Sequence, residues 1–353
     1  MMPIALKIIT KYNLYDKQDE RKNHKGKIGF LGGLVIFASF YISYGICFPS
    51  SLIRPDFSHN LIMSLFAIFL LGFADDFLNY NSNKKFLVQF LVSSIFILKS
   101  GLTINFNQIL PFIPASLSLN LLLTIIFISV IINSINLIDG ADGLATSIGI
   151  FTGIVFSVIY LLNKDHYFAT LALSLTGSLI GFLYYNKPNA KIFMGDSGST
   201  FLGMLISIFI LNFINNITNW NNYQIDQNFK IAFGVISIPI LDMIRVMLTR
   251  IFKGKNPFSG DRNHLHHKLE EIGFNKLYVI IFILSMNLLN FLISFNNTQN
   301  LFFYLSTTTI IYALIILTIN VFKSAFVNEL NLYSINKDKI GTELSNNNER
   351  INN

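Results

Sequence analysis

Four polar clusters interrupt an otherwise apolar chain: Asp75-Asp76, the run from Asn133 to Gly143, Gly195-Asp196-Ser197-Gly198-Ser199, and Asp261-Arg262-Asn263-His264-Leu265-His266-His267. Adjacent carboxylates such as Asp75 and Asp76 repel unless a cation or a shared proton compensates, which suits metal binding or a general base. A solvated helix end is the bland alternative. In the second cluster Asn133 and Asn136 fall one helical turn apart, and Gly140 and Gly143 then break the helix, leaving Asp139 and Asp142 on a compact turn. Amides and carboxylates at this density can bind a nucleotide or order the waters of Mg²⁺, which takes oxygen ligands. The third cluster opens an apolar segment, so Gly195 to Ser199 could cradle a phosphate at a helix N-terminus with Asp196 holding a cation, or simply cap that helix. In the fourth, Arg262 offers a planar fork for phosphate, and His264 and His267 share a face if the stretch is helical. No cysteine accompanies these histidines, so anion recognition is a better reading than zinc.

The segments between the clusters must position them. Apolar runs fall at about 28–48, 59–74, 86–102, 119–138, 144–163, 168–185, 199–215, 229–250, 277–294 and 301–322. A helix needs roughly 20 residues to cross the hydrocarbon, with about 17 as the lower limit, so nine runs qualify and 59–74 is marginal. Of the 353 residues 52% are hydrophobic and only 13% charged; soluble chains carry nearer ~25% charged residues. The expectation is an all-α, polytopic integral membrane protein of about ten spans.

Alternating ten spans puts all four clusters on one side. That side also carries 21 of the 26 basic residues, against Arg54, Lys99, Lys164 and Lys230 opposite and Arg245 within a span. The positive-inside rule then makes both termini and the active-site loops cytoplasmic. The net charge of +7 is thus read as membrane orientation, not nucleic-acid binding. Cys47, within an apolar run, is read as a buried thiol, and the first ten residues do not form a cleavable signal. The Asn-rich stretch 212–228 reads as a solvated linker, and residues 326–353 as a disordered cytoplasmic polar tail.

Taken in order, these motifs resemble the polyprenyl-phosphate N-acetylhexosamine-1-phosphate transferases (glycosyltransferase family 4). These bacterial membrane enzymes start O-antigen, enterobacterial common antigen and teichoic acid synthesis, and are relatives of phospho-MurNAc-pentapeptide translocase. The resemblance covers roughly residues 13–325. It rests on Arg21-Lys-Asn-His24-Lys-Gly26-Lys-Ile with Gly32-Gly33, Gly72-Phe-Ala-Asp75-Asp76 with Lys85, the Asn133–Gly143 run, Phe193-Met-Gly-Asp196-Ser-Gly-Ser199, and Asp261-Arg-Asn-His264-Leu-His266-His267. The last form looks like the amino-sugar branch; the peptidoglycan branch has a plain His-His-His run. Two departures stand out. Gly29 replaces the proline usual before the Gly-Gly pair, and only Met1 to Thr10 stand where a first membrane helix is expected.

The resemblance implies transfer of N-acetylhexosamine-1-phosphate, GlcNAc-1-phosphate foremost, from a UDP-sugar to undecaprenyl phosphate, with release of UMP. It implies Mg²⁺, or Mn²⁺ in its place, held by Asp196 with Asn136 contributing. Asp75 and Asp76 would deprotonate or orient the lipid phosphate, or assist the metal. Asn133, Asp139 and Asp142 would contact the uridine nucleotide, and Lys85, Arg262, His264, His266 and His267 would grip phosphates and sugar. Direct attack and a covalent aspartyl-phosphate route both fit these residues. The implied location is the bacterial inner membrane, with a homodimer among the open assembly states. Two rivals are a phospho-MurNAc-pentapeptide transferase and a membrane transporter, the latter motivated by Asp242 and Arg245 three apart in one span. A local ion pair is the plainer reading of those two.

Overall fold

The computed structural model describes residues 1–15, 28–47, 55–78, 80–110, 112–216, 225–257, 262–296 and 300–324. The basic stretch Arg21–Lys27 with His24, Asp261, and the tail 326–353 lie outside the described residues. The described chain is helical, with isolated bridges as its only strand-like pairings, as at Gly29–Ile192. In chain order the helices are α1 (Met2–Tyr12), α2 (Gly32–Cys47), α3 (Pro55–Leu78), α4 (Ser82–Ser100), α5 (Phe106–Ile109), α6 (Leu117–Ile138), α7 (Leu144–Leu162), α8 (His166–Asn186), α9 (Gly195–Asn216), α10 (Ile225–Phe252), α11 (Leu265–Glu271), α12 (Lys276–Ser294) and α13 (Leu301–Ser324).

Eight of these are long and apolar enough to cross a membrane: α3, α6, α7, α8, α9, α10, α12 and α13. The remaining two of the ten expected runs are helical as well. α2 has 16 residues and α4 has 19, the latter broken in hydropathy by Lys84, Lys85 and Lys99. The run read as marginal at 59–74 is in fact a 24-residue helix, because polar Ser58, Asp75 and Asp76 continue it at both ends. Local chemistry sets the ends of several helices. Ser116, Asp165 and Asn275 each accept a hydrogen bond from a first-turn amide, and Gly101 ends α4 in the left-handed region at φ 71°.

α9 sits at the centre. It is buried continuously from Ser197 to Ile214, as expected for a helix apolar on every face. Around it pack α2, α3, α6, α7 and α10. Small residues let the backbones touch near its start: a Cβ on Gly33 would lie 2.3 Å from the Gly198 nitrogen, and one on Gly72 would lie 2.4 Å from the Asp196 carbonyl oxygen. Larger side chains there would push α2 and α3 off α9.

α10 is kinked at Ile236 (φ −125°, ψ 17°), just before Pro239, which offers no amide hydrogen to continue the ladder. α12 supplies the missing partners: Asn287 accepts from the Ile238 amide at 3.1 Å, and Asn290 donates to Ser237 Oγ at 2.8 Å. The kink redirects the second half of α10, which carries Asp242 and Arg245.

Two expectations are corrected. Cys47 is exposed, since it is the last residue of α2 and not an interior one. The stretch 212–228 is not all linker: α9 continues to Asn216, α10 begins at Ile225, and Asn212 and Asn228 are buried among the helices, leaving only 217–224 outside the described residues.

Candidate active site

The polar motifs meet at one end of the bundle. The C-terminal end of α3, the start of α4, the α6–α7 turn and the start of α9 converge there, with α11 beside them. Gly195 makes the entry to α9, with φ at 73°, and a Cβ there would lie 2.9 Å from Asp76 Oδ1. Its left-handed backbone and the closeness of that carboxylate both require glycine.

Asp76 is held by α9. Its carboxylate oxygens accept from the amides of Asp196 at 2.7 Å and Ser197 at 3.1 Å. The cap of α9 is therefore a carboxylate from α3, well placed against the positive end of the helix dipole. The sequence reading offered the Gly195–Ser199 amides to a phosphate, with a local cap by Asp196 or Ser199 as the alternative. Neither holds for these two amides, because Asp76 already occupies them.

Asp75, buried, accepts from the Tyr80 amide at 2.6 Å and from Lys85 Nζ at 2.6 Å. Lys85 also reaches Asp196 Oδ2 at 3.0 Å, so one ammonium bridges two carboxylates from different helices. Asn136 donates to Asp196 Oδ1 and, at 2.8 Å, to Ser199 Oγ. In this rotamer its amide nitrogen braces Asp196, and its oxygen faces away from that carboxylate. Asn133 donates to Gln89 Oε1 at 2.8 Å and to the Ser129 carbonyl at 2.7 Å.

Asp139 ends α6. Although part of the residue reaches solvent, its carboxyl is pushed well above the ordinary value, first by burial and then by the charges of Asp196, Asp76 and Asp142. Asp142, on the same turn, pairs with Lys276 of α12 at 2.7 Å. The turn itself is pinned by Asn186, which accepts from the Gly143 amide (3.1 Å) and Thr146 Oγ1 (2.7 Å) and donates to the Ile192 carbonyl (3.0 Å).

The histidine motif forms the start of α11. His264 precedes the helix in an extended conformation, so helical spacing does not apply to it, and its ring stacks on His266 (centroids 5.9 Å, 8°) instead of sharing a face with His267. His267 lies half-buried with Nδ1 3.9 Å from Glu270. His266 is fully enclosed, and burial together with the neighbouring His267 lowers its pKa to about 3, so it is neutral near pH 7. Its Nε2 lies 3.7 Å from where a Gly140 Cβ would stand, which brings the motif against the Asp139–Gly140 turn. Arg262 is placed apart, on a basic cleft of about 270 Å³ with Lys253, Lys255 and Lys268. Arg250 borders both this cleft and a second one of about 250 Å³, in which Lys85, Asn133 and Asn136 meet apolar walls including Ile126, Val130, Met243 and Met247.

Among the described residues no three His, Cys, Asp or Glu side chains converge into an all-protein metal cage. That donor set still fits Mg²⁺, which binds through one or two carboxylates and completes its shell with water and substrate phosphates. Asp75 and Asp196 share the one Lys85 ammonium, Asp76 caps the helix that carries Asp196, and Asp139 feels the charges of Asp196 and Asp76, a local excess of negative charge that favours a cation.

Sequence reasoning missed Tyr80, Gln89, Asn186, Lys276 and Tyr312, a partner of Asp242. Asn186 and Lys276 carried no motif signal; Gln89, a polar residue within an apolar run, was the one visible hint.

Residues 59–214 match the family model described as glycosyl transferase family 4. A probable undecaprenyl-phosphate N-acetylglucosaminyl 1-phosphate transferase of Bacillus subtilis (strain 168) is 32% identical over 296 residues, covering 81% of this chain and 79% of the relative. Undecaprenyl-phosphate alpha-N-acetylglucosaminyl 1-phosphate transferases of Yersinia pestis and Escherichia coli (strain K12) are 27% and 26% identical, each covering 79% of this chain and 76% and 75% of the relative. With this similarity running through the helices that build the aspartate cluster, the chain belongs to glycosyl transferase family 4.

Proposed function

We propose that the protein transfers N-acetylglucosamine-1-phosphate from a UDP-sugar to undecaprenyl phosphate at the cytoplasmic face of the bacterial plasma membrane, starting a lipid-linked glycan. The observation that carries this reading is the meeting of Asp75, Asp76, Asp139, Asp196 and Lys85 at the bundle end, beside a cleft with a polar floor and apolar walls. A polyprenyl phosphate needs both: carbon walls for its chain and a charged floor for its head. The names of the relatives supply the acceptor and the sugar.

Asp196, braced by Asn136, is the carboxylate suited to hold Mg²⁺. The ion would neutralise the donor diphosphate and stabilise the departing UMP oxygen. Lys85 can exchange its two carboxylate partners for phosphate oxygens as substrate arrives. Asp75 is the better of the adjacent pair to receive a proton from the lipid phosphate, because its side-chain partner is a lysine that can move. Asp76 is committed to two backbone amides and keeps α9, and so Asp196, in place. His266, neutral and enclosed, recognises the donor through hydrogen bonds without a charge.

The peptidoglycan alternative is not favoured, and the transporter reading loses its motive: Arg245 and Asp242 form the local ion pair, at 2.8 Å. The test is incubation of purified protein with undecaprenyl phosphate, Mg²⁺ and a panel of UDP-sugars, followed by mass spectrometry of the lipids. Sugar-pyrophosphoryl-undecaprenol with UDP-GlcNAc, and equimolar UMP, is the expected result. A product only with UDP-MurNAc-pentapeptide, or none with any donor, would overturn the assignment.

A further inference from the structure

The site above does not use Asp242, yet this buried carboxylate is the most heavily bonded acid described. Its Oδ1 accepts from Arg245 at 2.8 Å, Tyr312 Oη at 2.7 Å and the Leu265 amide at 3.1 Å. Its Oδ2 meets His264 Nδ1 at 2.8 Å. Arg245 also donates to Tyr312 Oη at 3.1 Å and to the Asn263 carbonyl, tying α10, α13 and the residue before His264 together. A carboxylate can only accept, so His264 carries a hydrogen on Nδ1, and in the neutral imidazole Nε2 then keeps a lone pair. That Nε2 is buried and has no hydrogen-bond partner among the described residues, as is true of His266 Nε2 in the ring stacked on it. Two enclosed, unpartnered nitrogens, one of them His266 Nε2 against the Asp139–Gly140 turn, are unsatisfied groups that a ligand can satisfy.

We infer that Asp242 is a positioning residue for the transfer reaction. It locks His264 in the Nδ1–H tautomer, so that Nε2 presents an acceptor to an N–H or O–H of the sugar nucleotide. Tyr312, Arg245 and the Leu265 amide act one step further out, fixing which oxygen of Asp242 faces which partner. The kinetic part of this inference rests on the transferase reading; the tautomer does not.

The three donors on Oδ1 make Asp242→Asn a directed test. They require an oxygen at that position, so the amide nitrogen takes the place of Oδ2 and donates to His264 Nδ1, forcing the hydrogen to Nε2. Buried carboxylates that orient an imidazole act by this tautomer choice in unrelated enzymes. The experiment is ¹⁵N NMR of histidine-labelled protein, with His264 assigned by the signal lost in His264→Gln, alongside steady-state kinetics. Wild type should show Nδ1–H at His264 and Asp242→Asn should show Nε2–H. In that variant kcat should fall about 100-fold, with little change in KM for the polyprenyl phosphate or in melting temperature. The double variant Asp242→Asn/His264→Gln should be no slower than His264→Gln alone, the sign that one residue acts through the other. Additive losses, or an unchanged tautomer, would overturn the inference. Should Asp242→Asn fail to fold, an Nε2–H tautomer in wild type or full activity of His264→Gln would overturn it equally. An inactive wild type with the Nδ1–H tautomer present would instead sink the transferase reading alone.

Discussion

Two carboxylate centres adjoin at one end of the bundle and are built on opposite electrostatic terms. Around Asp196, a single lysine bridges to Asp75, while Asp76 and Asp139 add their charge nearby. Around Asp242, one acid is met by a guanidinium, a phenol, a backbone amide and an imidazole. The first centre holds more charge than its protein partners neutralise, and the second has every oxygen satisfied. An unbalanced centre near a membrane is retained at a cost and makes sense where a ligand completes it, whereas a balanced one fixes geometry. On the roles proposed above, the contrast separates a centre that binds from a centre that orients.

The strongest way to break that contrast is Asp196→Asn. If this carboxylate holds the cation, kcat/KM should fall on the order of 1,000-fold, the several kcal/mol that a bound metal supplies to a charged transition state. Isothermal titration should show weakened Mg²⁺ binding at the same time. Intact Mg²⁺ affinity beside lost activity would place the cation elsewhere.

A smaller effect is expected from Lys85→Met, which removes the one ammonium shared by Asp75 and Asp196. Breaking such a mostly buried pair costs about 3–5 kcal/mol, so melting temperature should drop in metal-free detergent. Added Mg²⁺ should then raise it more in the variant than in wild type, since the ion takes over the lost charge. Equal Mg²⁺ responses would mean the acids do not share a cation site.

The smallest effect tests the neutral side of the contrast through pH. His266 is enclosed, with a pKa of about 3 against an ordinary 6.5. The folded state therefore binds fewer protons than the unfolded chain between these values. Its contribution to stability is full above about pH 6.5 and is lost as pH falls toward 3. His266→Gln should flatten the decline in melting temperature between pH 6.5 and 4.5 while leaving stability at pH 8 little changed. A decline of the same steepness in both proteins would show that His266 is not held neutral by the fold.

Much of this was legible in the chain. The ten apolar runs reappear as helices within a few residues of their expected ends, because hydrophobic length is written locally and the bilayer leaves no other way to satisfy the backbone. The clustering of Asp75, Asp76, Asp139 and Asp196 was legible too, since alternating spans return each motif to the same side. What each residue does there was not. Asp76 lies 120 residues from the amides it caps. Asp142 pairs with Lys276, 134 residues on. Asp242 and Arg245 read as an isolated i,i+3 pair, with no sign of Tyr312 or His264.

The amino-acid sequence by itself determined the class, the spans and the identity of the charged groups, because each depends on composition and spacing within a single segment. Only the tertiary structure decided which acids share a lysine, which one caps α9, and which nitrogen of His264 is left free. Those outcomes depend on distances of a few ångströms between helices far apart in the chain, set by glycine contacts at Gly33 and Gly72 and by the kink at Ile236.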